Sequence, residues 1–367
     1  MDKEVKCCMR DMYVDDMFCE CSEIWFVGTN DSILYRINAN NEIYPIKMLP
    51  YKKDKRFRNC AVCYKEKNKI YCFPERGQCI YIFDIEKNTM KEIQLENEEQ
   101  RLSIYNVWFI DEYIWCTSFQ NNKLYMINKK DQKIKKIFDI PYINLSKIDI
   151  EATCYGKKLY FISNKLTTVL EFSTEKLEFN KYCITCGEKG FSTIAVDGED
   201  IFVTGGECKL YRYNLNSQKL NVIDLEKYIK FEKKEDTYTA NIFYRSIILN
   251  GHIVLSTENI SELISNQILI YNIEKNSINF LMFNHSYKRK AGDFFVISKY
   301  SDCEITIYDN LDRTLYLYNL DNQSLERKIV QVGKEITNSF ANDIKSISNS
   351  KESMLMDLRK YLQALNK

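Results

Sequence analysis

Histidine is nearly absent from this chain, which has only His252 and His285. Neither stands in a visible constellation with a nucleophile or a carboxylate, so both read as structural and histidine-based catalysis is not expected. A Gly-rich phosphate loop and a zincin helix motif are missing as well. Charge of one sign is also lacking, with 52 Lys and Arg against 51 Asp and Glu. Broad binding to nucleic acid or to an anionic membrane needs a basic surface, and this balance argues against both. The one short basic run, Lys52, Lys53, Lys55, Arg56 and Arg58, reads as a solvated loop.

Long apolar runs are missing too, with nothing near the ~18 residues of a membrane span. The first residues, Met-Asp-Lys-Glu-Val-Lys-Cys-Cys, lack the apolar core of an export leader. The expectation is a cytoplasmic protein with no membrane partner. Its 14 cysteines then read as reduced thiols that act as small apolar residues in strands. Two pairs have CxxC spacing, Cys60 with Cys63 and Cys183 with Cys186. A structural zinc needs four converging ligands, and residues three apart on a strand face opposite sides. Metal binding by these pairs is not expected.

What is present is a repeat. The chain of 367 residues is too long for one ordinary core. An apolar-aromatic-apolar triplet recurs, followed after a polar gap by apolar-Tyr-x-apolar and often by Asn or Asp. Ile24-Trp25-Phe26 with Leu34-Tyr35-Arg36-Ile37 is the first copy, and Ile114-Trp115-Cys116 with Leu124-Tyr125-Met126-Ile127 the third. In the fourth copy Glu171 replaces the second Tyr. The copies start at 24, 70, 114, 159, 201, 253 and 305. A spacing in the forties, with short segments rich in Tyr, Ile, Val and Phe, is that of a four-stranded β-blade. The two longest spacings leave room for insertions, so the blade count is about seven.

Four twisted antiparallel strands cannot bury both faces alone, and radial packing of such sheets solves this. The pattern resembles the β-propeller superfamily, with a loose likeness to NHL and Kelch-type blades over roughly residues 11–332. Only Gly205-Gly206 matches the Kelch diglycine. The expected fold is all-β, a propeller of about seven four-stranded blades over residues 1–332, with a C-terminal helical segment over 333–367. Phe340, Ile344, Ile347, Leu355, Leu358, Leu362 and Leu365 recur there at helical spacing.

A polar residue stands at or just before each expected innermost strand: Asp16, Asn59, Asn106, Glu151, Thr193, Asn241 and Asp293. In a propeller these positions lie at the mouth of the central channel, and they form the candidate ligand-binding set. Carboxylates and amides there are hard oxygen ligands of the kind Ca²⁺ takes. Calcium-dependent propeller lactonases resemble this arrangement. Two readings follow. The leading one is a non-enzymatic scaffold without a cofactor, binding a protein or peptide partner through its loops or channel mouth. The alternative is a Ca²⁺-dependent hydrolase or lyase. Trp108, Phe109 and Tyr113 are read as packing, with a flanking binding surface as the sharper option.

Overall fold

In the computed structural model, the described residues are 14–28, 32–49, 60, 62–75, 77–95, 102–118, 122–141, 150–163, 166–184, 190–205, 208–229, 243–259, 267–283, 293–310 and 312–333. They form seven consecutive four-stranded units, each an antiparallel meander. Blade 1 is β1 (Val14–Glu20), β2 (Glu23–Gly28), β3 (Ile33–Ile37) and β4 (Glu42–Met48). Blade 2 is β5 (Val62–Glu66), β6 (Lys69–Phe73), β7 (Cys79–Asp84) and β8 (Thr89–Gln94). Blade 3 is β9 (Ile104–Ile110), β10 (Tyr113–Ser118), β11 (Lys123–Asn128) and β12 (Ile134–Asp139). Blade 4 is β13 (Ile150–Tyr155), β14 (Lys158–Ser163), β15 (Leu166–Ser173) and β16 (Glu178–Cys183). Blade 5 is β17 (Phe191–Asp197), β18 (Asp200–Gly205), β19 (Lys209–Asn214) and β20 (Leu220–Asp224). Blade 6 is β21 (Phe243–Leu249), β22 (His252–Asn259), β23 (Gln267–Asn272) and β24 (Ser277–Met282). Blade 7 is β25 (Asp293–Lys299), β26 (Glu304–Asp309), β27 (Thr314–Asn319) and β28 (Leu325–Lys328), followed by the two-residue β29 (Gln331–Val332).

Burial explains the sequence pattern. The second strand of a blade is covered on both faces, so its side chains are buried in succession, as in β2, β10 and β26. The fourth strand is largely exposed, as in β8, β16 and β24. Each second strand begins one residue before the apolar triplet that marks it in the sequence.

The Asn or Asp that follows the marked tyrosine segment shapes the turn into the fourth strand. Asn38, Asp84, Asn128, Asn214, Asn272 and Asn319 each accept a backbone N–H two or three residues on, at 2.7–3.0 Å. In blade 4 the Ser173 hydroxyl does the same for Lys176 at 3.1 Å. Such side chains close a tight turn by standing in for a backbone acceptor. Each of these turns then places a non-glycine residue in the left-handed region: Asn41, Asn88, Gln132, Leu177, Gln218, Asn276 and Gln323.

Two compact units divide the chain. The first comprises Met1–Tyr105 and Val296–Lys367, the second Asn106–Phe295. In the first unit, segments distant in sequence are tied together. The Asn310 side chain accepts from Val14 N at 3.0 Å and donates to Val14 O at 2.7 Å, so it pairs with β1 as a strand would. The Cys19 thiol lies 3.4 Å from the Thr306 hydroxyl. β29 adds to the outer edge of β4 in parallel, with Gln331 opposite Glu42 and Val332 opposite Ile43. Gly333 N donates to Ile43 O at 2.9 Å, and a Cβ on Gly333 would overlap the Tyr44 ring. The core between blades 1 and 2 gathers Trp25, Leu34, Ile70 and Tyr81 with Cys60, Cys63, Cys72 and Cys79.

Among the described residues of the second unit, cores are centred on Trp115 with Phe172, on Tyr160 with Tyr211, and on Phe202 with Tyr271. Neighbouring first strands touch, β13 against β17 and β17 against β21, which makes them the inner strands of their blades. In the cross-strand register Leu170 takes the place of the marked tyrosine and Glu171 that of Arg36, Met126 and Arg212. The buried Glu171 carboxylate accepts from Lys158 Nζ at 3.1 Å, Tyr182 OH at 3.1 Å and Asn180 Nδ2 at 3.4 Å. Asp200 takes the Arg212 Nε at 3.0 Å and the Asn214 amide at 2.8 Å.

The expected C-terminal helical segment lies outside the described residues, apart from Gly333. Among the described residues the helical structure is one 3-10 turn, Glu226–Tyr228.

Candidate functional site: the leading ends of the inner strands

Of the seven candidate residues, Asn59 and Asn241 lie outside the described residues, and so does the side chain of Asp293, whose backbone opens β25 opposite Asn259. The other four sit at the leading ends of inner strands. Asp16 is on β1 in the first unit, and Asn106, Glu151 and Thr193 are on β9, β13 and β17 in the second.

Bulges govern these strand ends. Register shifts fall between Val14 and Met17, between Phe191 and Thr193, and between Phe243 and Arg245. A bulge lets one strand carry an extra residue and re-aims its side chains. Asp16 lies within the first bulge and its carboxylate accepts Met17 N at 2.9 Å. Its neighbour Asp15 is buried beside it, a second carboxylate that sequence spacing did not single out. Asp16 also acts on two thiols. Burial first, and this carboxylate last, hold the Cys19 thiol up at about 11. Cys63 is pushed well up by burial first, with Cys72 and Asp16 adding to it.

Thr193 is 1% exposed and its hydroxyl lies 2.7 Å from that of Thr204, which Ser192 also reaches at 2.9 Å. On the next inner strand, Ser246 donates to Ile194 O at 2.9 Å and so ties β21 to β17. Asp16 and Asn106 are 3% and 9% exposed, and Glu151 is half-buried. Three of the four described candidates are thus built into the strand ends, and Glu151 is the one with substantial exposure. Glu151 and Thr193 are brought onto adjacent strands.

The remaining sequence candidates resolve into packing. His252 Nδ1 donates to Asn250 O at 2.7 Å and its Nε2 accepts from Asn272 at 2.9 Å, a bracing role at a turn. Trp108 meets Phe161 edge-on at 6.2 Å between centroids, and Tyr113 meets Trp115 at 6.3 Å. Cys60 precedes β5, so strand alternation does not govern it, and it shares one core with Cys63. Cys183 is exposed and Cys186 lies outside the described residues, as do Lys52 to Arg58 and His285. The eleven described cysteines are free thiols. Among the described residues, no three His, Cys, Asp or Glu side chains are grouped to hold a metal ion, and no helix is long and apolar enough to cross a membrane.

No known sequence family and no curated protein matches the chain. Solved structures do. A computationally designed protein, Ika8, aligns over 86% of this chain and 87% of its own with a TM-score of 0.54 at 7% identity. KlHsv2 with loop 6CD replaced by a Gly-Ser linker aligns over 87% and 98% with a TM-score of 0.57 at 10% identity. A chain of the Mitotic Checkpoint Complex aligns over 87% of each with a TM-score of 0.55 at 10% identity. Likeness at this identity is one of fold, and together with the seven four-stranded blades it shows that the chain is a β-propeller.

Proposed function

We propose that the protein is a non-enzymatic scaffold of the cytoplasm that binds a protein or peptide partner. The observation that carries this reading is where its exposed apolar side chains fall. Of seven large apolar residues exposed among the described residues, five stand on fourth strands: Ile137, Val222, Phe280, Met282 and Leu325. Phe280 and Met282 stand together on one strand, and adjoining apolar side chains on a solvated outer strand are contact area that a partner can bury. A similar fold within the Mitotic Checkpoint Complex, a protein assembly by name, supports the same class of role. The Asx turns and the inter-blade hydrogen bonds supply the rigid frame on which such surfaces depend.

The test sets binding against metal-dependent chemistry. A ligand that binds only the native state raises the melting temperature. The scaffold reading expects Ca²⁺ to leave the melting temperature unchanged and Glu151→Gln to cost little stability. A Ca²⁺-dependent rise that Glu151→Gln abolishes would replace this reading with the hydrolase one.

A further inference from the structure

We infer that the outer strand of blade 6, β24, is a docking edge for an extended, uncharged linear segment of a partner protein, which adds to it as a fifth strand. The inference rests on the binding reading above and names its surface.

Outer strands risk indiscriminate pairing, and charged side chains on them are the usual safeguard. Six of the seven fourth strands here carry at least one charge, most densely Lys135 and Lys136 on β12 and Glu326 to Lys328 on β28. β24 reads Ser-Ile-Asn-Phe-Leu-Met and carries none. A bulge is the other common safeguard, and β24 lacks that as well: its register with β23 runs unbroken from Gln267–Met282 to Asn272–Ser277. Strand alternation puts Ile278, Phe280 and Met282 on one face. Ile278 packs on the core shared by blades 5 and 6, while Phe280 is 40% and Met282 36% exposed. An apolar stripe therefore runs from the core to the surface along a regular, neutral strand that ends its sheet among the described residues.

The chain itself shows what an outer edge accepts. The uncharged segment Gln331 to Gly333 lies along β4, with Gln331 N donating to Asn41 O and Gly333 N to Ile43 O, both at 2.9 Å. Length argues for a linear segment over a second copy. Six residues span about 20 Å. Edge pairing on that scale buries less than the ~1,200 Å² of a stable protein–protein interface. It matches a short peptide held by main-chain hydrogen bonds with pockets for alternate side chains.

The probe is a capped peptide, Thr-Val-Gln-Val-Thr-Val, with Thr-Lys-Gln-Lys-Thr-Lys as its charged counterpart. The full chain is expected to bind the first saturably and at least tenfold more tightly than the second. Bound peptide should slow amide hydrogen exchange along β24 and leave β12 unchanged. Phe280→Lys should weaken binding at least tenfold, as should Met282→Lys, which serves if Phe280→Lys lowers the melting temperature. Thr89→Lys on β8 should bind as wild type. Failure to saturate by millimolar peptide, binding without protection of β24, or unchanged affinity in both β24 variants overturns the inference. So does self-association in sedimentation that the β24 variants abolish, since a second copy would then be the occupant. A purified partner that binds the β24 variants as it binds wild type also overturns it, while leaving the scaffold reading intact.

Discussion

Asn310 offers the sharpest test of how the first unit is held. Its side chain is 1% exposed and satisfies both the N–H and the C=O of Val14, across 296 positions of sequence. Asn310→Leu keeps most of the volume and removes both partners. Val14 is itself buried, so water does not replace them. Each buried backbone group left without a partner costs about 1–3 kcal/mol, so the variant should lose about 3–5 kcal/mol. At about 2 °C per kcal/mol for a large domain, the melting temperature should fall by roughly 6–10 °C. Urea titration would read the loss as a lower midpoint at unchanged slope. Exchange of the Val14 amide should quicken while β17 to β19 in the second unit stay protected. A loss below ~0.5 kcal/mol in both Asn310→Leu and Asn310→Ala, within the range of a featureless surface change, would refute the reasoning.

Other perturbations have equally definite outcomes. Glu171→Ala removes the acceptor shared by Lys158, Tyr182 and Asn180 and should cost about 2 kcal/mol in urea titration. The Tyr182 phenol is held up at about 12 by burial first and the Glu171 carboxylate second, so Glu171→Gln should lower its midpoint in an ultraviolet titration. Burial holds Cys72 at about 12 and Cys154 and Cys208 at about 11, against an ordinary 9.0. Their raised values give stability that is whole below pH 9 and lost as pH rises through 11 to 12, so urea midpoints should fall across that window. Gly333→Ala should push β29 off β4, read as faster exchange at Ile43 and Gly333, because the Tyr44 ring occupies the space a Cβ needs.

The blade repeat was legible because the second strands are covered on both faces, which forces an unbroken apolar triplet such as Ile70-Tyr71-Cys72 into six copies, with Thr306 buried between Ile305 and Ile307 in the seventh. The turn after the third strand was legible wherever Asn or Asp supplies the acceptor. Its left-handed residue was not, since Gln132, Leu177, Gln218 and Gln323 carry no residue-type signal for that conformation. β29 escaped notice because two residues in a parallel pair leave no periodicity. The candidate site was legible in position only. Spacing located Asp16, Asn106 and Thr193, but their burial depends on bulges and on cross-strand neighbours such as Thr204, which alternation of residue types does not encode. The surface of β24 was open to reading as well, as the one fourth strand without charge, but only once strand order had identified which segments are outermost.

The arrangement of the two units bears on how the chain is made. Residues 106–295 are contiguous, so that unit has all its parts as soon as its last residue leaves the ribosome. The other unit needs β1, synthesised early, to wait for Asn310 and β29, synthesised nearly 300 residues later. At about 5–20 residues per second, that wait is on the order of 15–60 seconds. During it the leading edges of blades 1 and 2 lack their late partners, which makes them the part of the nascent chain that a chaperone would need to shield. Released chains truncated near residue 300 should therefore resist protease over 106–295 while being cut within 14–95, and equal resistance in both regions would show that the first blades fold without waiting.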